Sequence, residues 1–300
     1  MKKDYEVIII GGSYAGLSAG MALGRASRNV LIIDAGEPCN RQTPHSHNFL
    51  TQDGETPAAI LAKAKQQVMQ YPTISFLNAK ATGGIKTTTG FEISISDNQA
   101  FTAKKLLFAA GIKDIMPAID GFAQCWGISV IHCPYCHGYE VKNMKTAILA
   151  NGDAAYHYAF LLTQWTKDLT LFTNGKPTLT NEQLAKLKEH DIPVIETEIQ
   201  TLNQSNGQLE SIVLTNGDVH NFNVMYSRVA FVQHTNIVEQ LGCELDENGF
   251  IKVAEMQKTT VPGIFAAGDC ATMMRSVAVA VADGMRAGAF INHEMQAENF

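Results

Sequence analysis

At 300 residues, 46% of them hydrophobic and 17% charged, the chain is long enough for two domains of about 100–200 residues each, and its composition excludes a disordered protein. The formal net charge of −6, with no stripe of Lys or Arg, argues against a nucleic-acid partner, because phosphate recognition needs grouped cations. Of six cysteines only Cys133 and Cys136 form a close pair, which leaves one redox or metal pair and four separate thiols at Cys39, Cys125, Cys243 and Cys270.

The charged N-terminus, residues 1–6, runs straight into the apolar segment 7–10, too short for a signal peptide and followed by no small-residue cleavage site. No stretch reaches the ~18 apolar residues of a membrane span. A cytoplasmic protein without membrane contact is expected, in a compartment where structural disulfides are rare.

In chain order, residues 7–10 read as a strand, Gly11-Gly12-Ser13-Tyr14-Ala15-Gly16 as a turn, and 17–25 as an Ala/Leu-rich helix. A second apolar strand, 29–33, ends at Asp34, followed by Ala35 and Gly36, which completes a βαβ unit with an acid about 20 residues beyond the glycine turn. Residues 57–70 have helical periodicity, 91–96 alternate like a half-exposed strand, and 106–111 are a buried strand ending in Ala109, Ala110 and Gly111. Beyond the cysteine pair a second unit begins: strand 146–150, turn 151–153, helix 154–164, strand 169–173, loop 174–177, helix 181–190 and strand 194–196. A strand pair, 209–214 and 219–226, flanks Asn216-Gly217-Asp218. Residues 263–269 form a strand running into Gly268-Asp269, and 276–291, opening on Ser276 and Val277, a buried helix.

A dinucleotide turn needs small residues because the backbone must approach a pyrophosphate closely, with the N–H groups of the helix start aimed at it. Gly11, Ser13 and Gly16 occupy the three fingerprint positions, the middle one substituted, and Asp34 is placed for a ribose hydroxyl. At the other end of the chain Gly268-Asp269 can offer a carboxylate to a sugar-alcohol chain, and the next helix start a phosphate site. Two such sites on one split domain fit a single long ligand, FAD.

These features, with a Cys-x-x-Cys some two dozen residues after Ala109-Ala110-Gly111 and the second βαβ unit, occur in the order found in the low-molecular-weight thioredoxin reductases, which the chain resembles over essentially its whole length. The run from Cys133 to Glu140 (Cys-x-x-Cys-His-Gly-Tyr-Glu) and that from Thr43 to Asn48 (Thr-Pro-His-x-His-Asn) resemble the gliotoxin-oxidase-like dithiol oxidoreductases most closely. The resemblance implies an α/β fold of two Rossmann-like three-layer domains, the second inserted into the first: an FAD domain of residues 1–114 plus 235–300 and an NAD(P)-type domain, 115–234, that carries the dithiol. It also implies a homodimer and a small-molecule or protein disulfide or dithiol as substrate. By the same resemblance Cys136 lies toward the flavin and Cys133 attacks the substrate. The loop bearing Arg41, Gln42, His47 and Asn48 borders the flavin, and Ala81, Ala110 and Gly111 join the cofactor contacts.

Thioredoxin reductases carry an Asp after the second cysteine, whereas this chain has His137. An imidazole of ordinary pKa about 6.5 can exchange a proton with a thiol near neutral pH, so His137 is the expected acid–base and Glu140 its orienting carboxylate, with His45 or His47 a second relay. Cys-x-x-Cys-His is also a c-type haem attachment signal, but that chemistry normally needs an exported chain. A zinc site would need two further ligands, and no second Cys/His pair lies at zinc spacing, so no metal is expected.

The second nucleotide turn departs from its pattern. Ala150-Asn151-Gly152-Asp153-Ala154-Ala155 retains one of two glycines, with Gly152, Asp153 and Ala154 as the contact candidates, and the loop beyond the next strand offers Lys176 where paired arginines would hold a 2′-phosphate. Three routes for the electrons follow: NADPH or NADH reducing the flavin, a dithiol oxidised with oxygen as acceptor, or reduction by ferredoxin or a similar carrier.

Overall fold

The computed structural model describes residues 3–300, without the side chain of Lys3; Met1 and Lys2, where the expected first domain and charged N-terminus begin, lie outside the described residues. The fold is α/β and separates into two compact units. One comprises the described residues up to Arg41, Phe49–Asp114 and Phe231–Phe300; the other comprises Gln42–Asn48 and Ile115–Ala230. The sequence places residues 42–48 in the first domain and 231–234 in the second, and packing groups both the other way. Gln42 Nε2 and Thr43 Oγ1 each lie 3.1 Å from where a Cβ on Gly127 would stand, and Phe231 stacks on Phe250 with ring centroids 4.6 Å apart.

The first unit opens with β1 (Lys3–Ile10), α1 (Tyr14–Arg25), β2 (Val30–Asp34), α2 (Pro57–Val68) and β3 (Ile74–Asn78). An antiparallel run follows, β4 (Ala81–Thr87), β5 (Gly90–Ile95) and β6 (Ala100–Phe108), then β7 (Ile112–Ile115). The sheet order is β3-β2-β1-β6-β5-β4, parallel from β3 to β6, with Ile8 opposite both Leu31 and Leu106. Alternate residues of β1 enter opposite cores, Val7 and Ile9 on one face, Ile8 and Ile10 on the other, so the apolar run 7–10 is that of a strand covered on both sides.

The second unit contains α3 (Phe122–Cys125), β8 (Val130–Ile131), α4 (Pro134–His137), β9 (Thr146–Leu149), α5 (Gly152–Leu162), β10 (Leu169–Phe172), α6 (Asn181–Glu189) and β11 (Val194–Ile195). Then come β12 (Ile199–Ser205), β13 (Gln208–Leu214), β14 (Val219–Asn221) and β15 (Val224–Ser227), and the second unit ends as β16 (Ala230–Gln233) enters the first and pairs there with β7. Its main sheet, β11-β10-β9-β15-β8, is wholly parallel, and β12-β13-β14 form an antiparallel sheet. The expected single strand 219–226 is therefore two, because the chain leaves the antiparallel partner β13 after Asn221 and joins β9 in parallel from Val224.

Back in the first unit, α7 (Ile237–Gln240) precedes β17 (Ile264–Ala266), which adds to β6 in parallel, and α8 (Val277–Asn299). Ser276 caps α8 by accepting from the Val279 N–H at 3.2 Å. Among the described residues no helix is long and apolar enough to cross a membrane.

Candidate active site

The first unit holds an open cleft where β1 and β2 end, lined by Gly11, Ser13, Asp34, Ala35, Ala81 and Ala110 among others. A Cβ on Gly11 would lie 2.2 Å from the Ala109 carbonyl oxygen, so the turn can follow this path only without a side chain there. Gly12 donates its N–H to Asp34 Oδ1 at 2.9 Å, which fixes the carboxylate at the cleft and leaves its other oxygen for a ligand hydroxyl. Tyr14 opens α1 and donates to the Pro57 carbonyl at 3.3 Å. Ala15 and Gly16 are buried in the first turn of α1, while Gly36 is exposed. Arg41 donates to the Pro38 carbonyl at 3.2 Å and so braces its own loop.

Sequence reasoning misses Glu37, Pro38, Lys80, His234 and Thr235 on this cleft. The last two follow the strand by which the chain re-enters the unit, the one signal that could have found them. Burial lowers the His234 pKa, opposed by Glu37 and helped by the charges of Lys113, Arg41 and Lys80.

The turn after β17 carries Gly268 and Asp269. Burial raises the Asp269 pKa, against the pull of Arg275, whose Nε lies 3.6 Å from Asp269 Oδ2. Arg275 spends its fork on Asp114, at 2.9 and 3.0 Å, and its buried Nε has no hydrogen-bond partner. Cys39 donates to Asp269 Oδ2 at 3.6 Å; burial and the Asp269 charge push its thiol up to about 12, and Cys270 is pushed equally far. Burial also raises Cys125 and Cys243, so all four separate cysteines are held as thiols.

The dithiol belongs to the second unit, where Cys133 and Cys136 form a disulfide with Cα atoms 5.2 Å apart. Cys133 is the N-cap of α4 and Pro134 its first residue, so the short turn is entered by a residue that needs no N–H partner. The Cys133 carbonyl accepts from the N–H groups of Cys136 and His137, both at 3.2 Å, and Gly138 N–H reaches the Pro134 carbonyl at 2.7 Å. Gly138 is obligatory, since a Cβ would stand 2.7 Å from Trp165 Nε1. Trp165 also meets the exposed Tyr135 edge-on, with centroids 5.5 Å apart. Upstream, His132 stacks on Trp126 at 5.7 Å and its carbonyl accepts from Tyr158 Oη at 2.9 Å, which anchors the approach to Cys133.

His137 is half-buried at the end of α4. Burial lowers its pKa, His47 acts in the same sense, and Glu140 opposes them. Glu140 Oε1 faces His47 Nδ1 at 3.6 Å, and the His47 ring stands edge-on to His137 with centroids 6.4 Å apart. The carboxylate thus pairs with His47, which comes next to His137, while Gln42, His47 and Asn48 lie in the unit that carries the dithiol.

At the second dinucleotide turn Gly152 opens α5, two residues earlier than the sequence suggests, because the Asn151 side chain caps it. Asp153 Oδ1 accepts from Gln183 Nε2 at 2.8 Å, and Ala154 follows in the first turn.

Residues 5–284 match the profile of the family described as pyridine nucleotide-disulphide oxidoreductase. The chain is 30% identical to the thioredoxin reductase sirT of Leptosphaeria maculans, over 97% of its own length and 94% of that protein. It is likewise 30% identical to the thioredoxin reductase tcpT of Claviceps purpurea, over 98% and 95%. Among solved structures, an oxidoreductase from Agrobacterium tumefaciens superposes with a TM-score of 0.92 at 39% identity, covering 99% of each chain.

Proposed function

The chain belongs to the pyridine nucleotide-disulphide oxidoreductases, as a thioredoxin reductase-like enzyme, and from that premise we propose that it exchanges electrons with a disulfide or dithiol substrate through Cys133 and Cys136. The family uses FAD and NADPH. The observation that carries the reading is the Cys133–Cys136 disulfide on a short turn that ends in a half-buried histidine.

The residues of the first unit fit FAD. Gly11 lets the turn pass tightly against the Ala109 backbone, so that the start of α1, whose N–H groups would receive a pyrophosphate, stands at the cleft; Asp34 keeps one oxygen for a ribose hydroxyl, and the buried Asp269 offers a carboxylate to a hydroxyl chain. FAD, when bound, supplies the two-electron exchange that resets the dithiol.

In the reducing direction His137, neutral at pH 7, takes the proton of Cys133, and the thiolate attacks one sulfur of the substrate disulfide. The substrate S–S bond breaks, and the departing sulfur receives that proton from His137. Cys136, deprotonated by the same route, then attacks the Cys133 sulfur of the mixed disulfide. The second substrate thiol leaves with its proton, and the Cys133–Cys136 bond is restored. Two electrons have passed to the substrate, and every step runs equally in reverse. Glu140 holds His47 beside His137, and its carboxylate favours the imidazolium formed in between, against burial and the His47 charge. We place the enzyme in the cytoplasm, as a homodimer.

The order of the sulfurs is tested with an aromatic disulfide whose thiolate is coloured. Reduced Cys136→Ser should release one equivalent of colour and retain the other half on Cys133, seen as the added mass. Retention by reduced Cys133→Ser at the same rate would reverse the assignment.

A further inference from the structure

The second dinucleotide turn binds itself. Asn151 Oδ1 accepts from the N–H of Gly152 at 2.8 Å and from the N–H and hydroxyl of Thr178 at 2.8 and 3.1 Å. Its Nδ2 donates to the carbonyls of Thr173 and Lys176 at 3.3 and 3.0 Å. Every donor and acceptor of this one amide is therefore used to tie the start of α5 to the loop that follows β10.

That location is where a nicotinamide dinucleotide would lie. In a βαβ unit the N–H groups at the helix start receive the pyrophosphate, and the loop beyond the second strand receives the adenosine ribose. Here the first N–H of the helix is already taken by a side-chain oxygen. The loop also stands directly on the turn: Thr178 Oγ1 lies 2.9 Å from where a Cβ on residue 152 would be. The cation in residues 173–180 is Lys176, a point charge in place of forked guanidinium donors, and its backbone carbonyl is held by the same asparagine. The residues present do not fit NADPH.

We propose that Asn151 is a clasp that closes the second dinucleotide turn against the loop of residues 173–178 and makes NADPH and NADH weak ligands of this chain. The inference rests on reading the second unit as the nicotinamide-type unit and is independent of the sulfur chemistry at Cys133. A ligand must break the Asn151 bonds and displace the loop before it can occupy the turn, and that cost lowers its affinity. Removing the side chain removes the cost.

Equilibrium dialysis of the fully reduced flavoenzyme against NADPH, and separately NADH, without oxygen, tests this by binding alone, since a reduced flavin accepts no hydride. The unmodified enzyme should show no saturation below about 1 mM, a standard binding free energy weaker than about −4 kcal/mol. Asn151→Gly should bind at least about 10-fold more tightly, since two or more hydrogen bonds no longer oppose the ligand. Thr178→Ala, which removes one donor to the clasp, should shift affinity in the same direction and carries the test if Asn151→Gly does not fold. Bleaching of the flavin by dithiothreitol in each variant reports on the dithiol separately, so failure there would not be mistaken for failure of the clasp. Saturable micromolar binding by the unmodified enzyme, or equal affinity in all folded forms, would overturn the proposal.

Discussion

Substituting Gly16 by Ala tests the assignment of the first cleft to FAD through a contact the cofactor itself does not make. A Cβ on Gly16 would fall 1.8 Å from the Gly11 carbonyl oxygen and 2.9 Å from its carbon. Ordinary contact requires roughly 3.5 Å, so the start of α1 must withdraw from the end of β1 by about 1.7 Å. Overpacking of this kind costs about 1–3 kcal/mol of stability. The larger effect falls on the ligand. Helix-start N–H groups displaced by that distance lose their hydrogen bonds to phosphate, each of about 1.5–3 kcal/mol when the acceptor is charged. Two such bonds correspond to an FAD affinity roughly 10²–10⁴-fold lower. Purified variant should be folded by far-ultraviolet circular dichroism yet colourless, and flavin fluorescence quenching on titration should give the weakened dissociation constant. Retention of full flavin through purification would refute the placement of the pyrophosphate at this turn.

His137→Gln should slow thiol–disulfide exchange by about 10²–10⁴-fold, the usual contribution of a positioned acid–base, in a stopped-flow measurement of the half-reaction with dithiothreitol. Because burial lowers the His137 pKa, the unmodified enzyme should keep its activity as pH falls through 6.5 and lose it only below, and the variant should lack that limb. The same shift bears on stability: above about pH 6.5 the histidine is neutral folded and unfolded, and below it the unfolded chain binds the proton more readily, so its contribution falls with acidification. Arg275→Met strands Asp114 and Asp269 without their cation and should cost about 3–5 kcal/mol in urea unfolding. Iodoacetamide should label Cys133 and Cys136 after reduction, read by peptide mass mapping, and leave Cys39 and Cys270 unmodified at pH 8, since both thiols are pushed up to about 12.

Much of this molecule is legible in its sequence, for reasons that differ by element. The run 7–10 is readable because a strand covered on both faces is apolar without alternation, and Cys133 with Cys136 because a local turn brings the two together. The edge strand Ala81–Thr87 is hidden by Gly83 and Gly84, weak strand formers that its antiparallel partner nevertheless holds in register. The break between Asn221 and Val224 carries no local signal, since both halves are extended and only their partners differ. The site shows the same division. Asp34 follows from its distance to the glycine turn, but the meeting of His47 with Glu140 and His137 does not, because segment 42–48 packs with a unit that begins far along the chain. Asn151 reads as an ordinary turn residue until the loop it clasps is in place.

The central claim is that two electrons enter and leave this enzyme through Cys133 and Cys136. Anaerobic titration of the yellow enzyme with dithiothreitol, followed by flavin absorbance, tests it most directly. One equivalent of electron pairs should reduce the disulfide and a second should bleach the flavin, whereas Cys133→Ser and Cys136→Ser, with flavin bound, should stay yellow on the same timescale. Bleaching of both variants as fast as the unmodified enzyme would contradict the account.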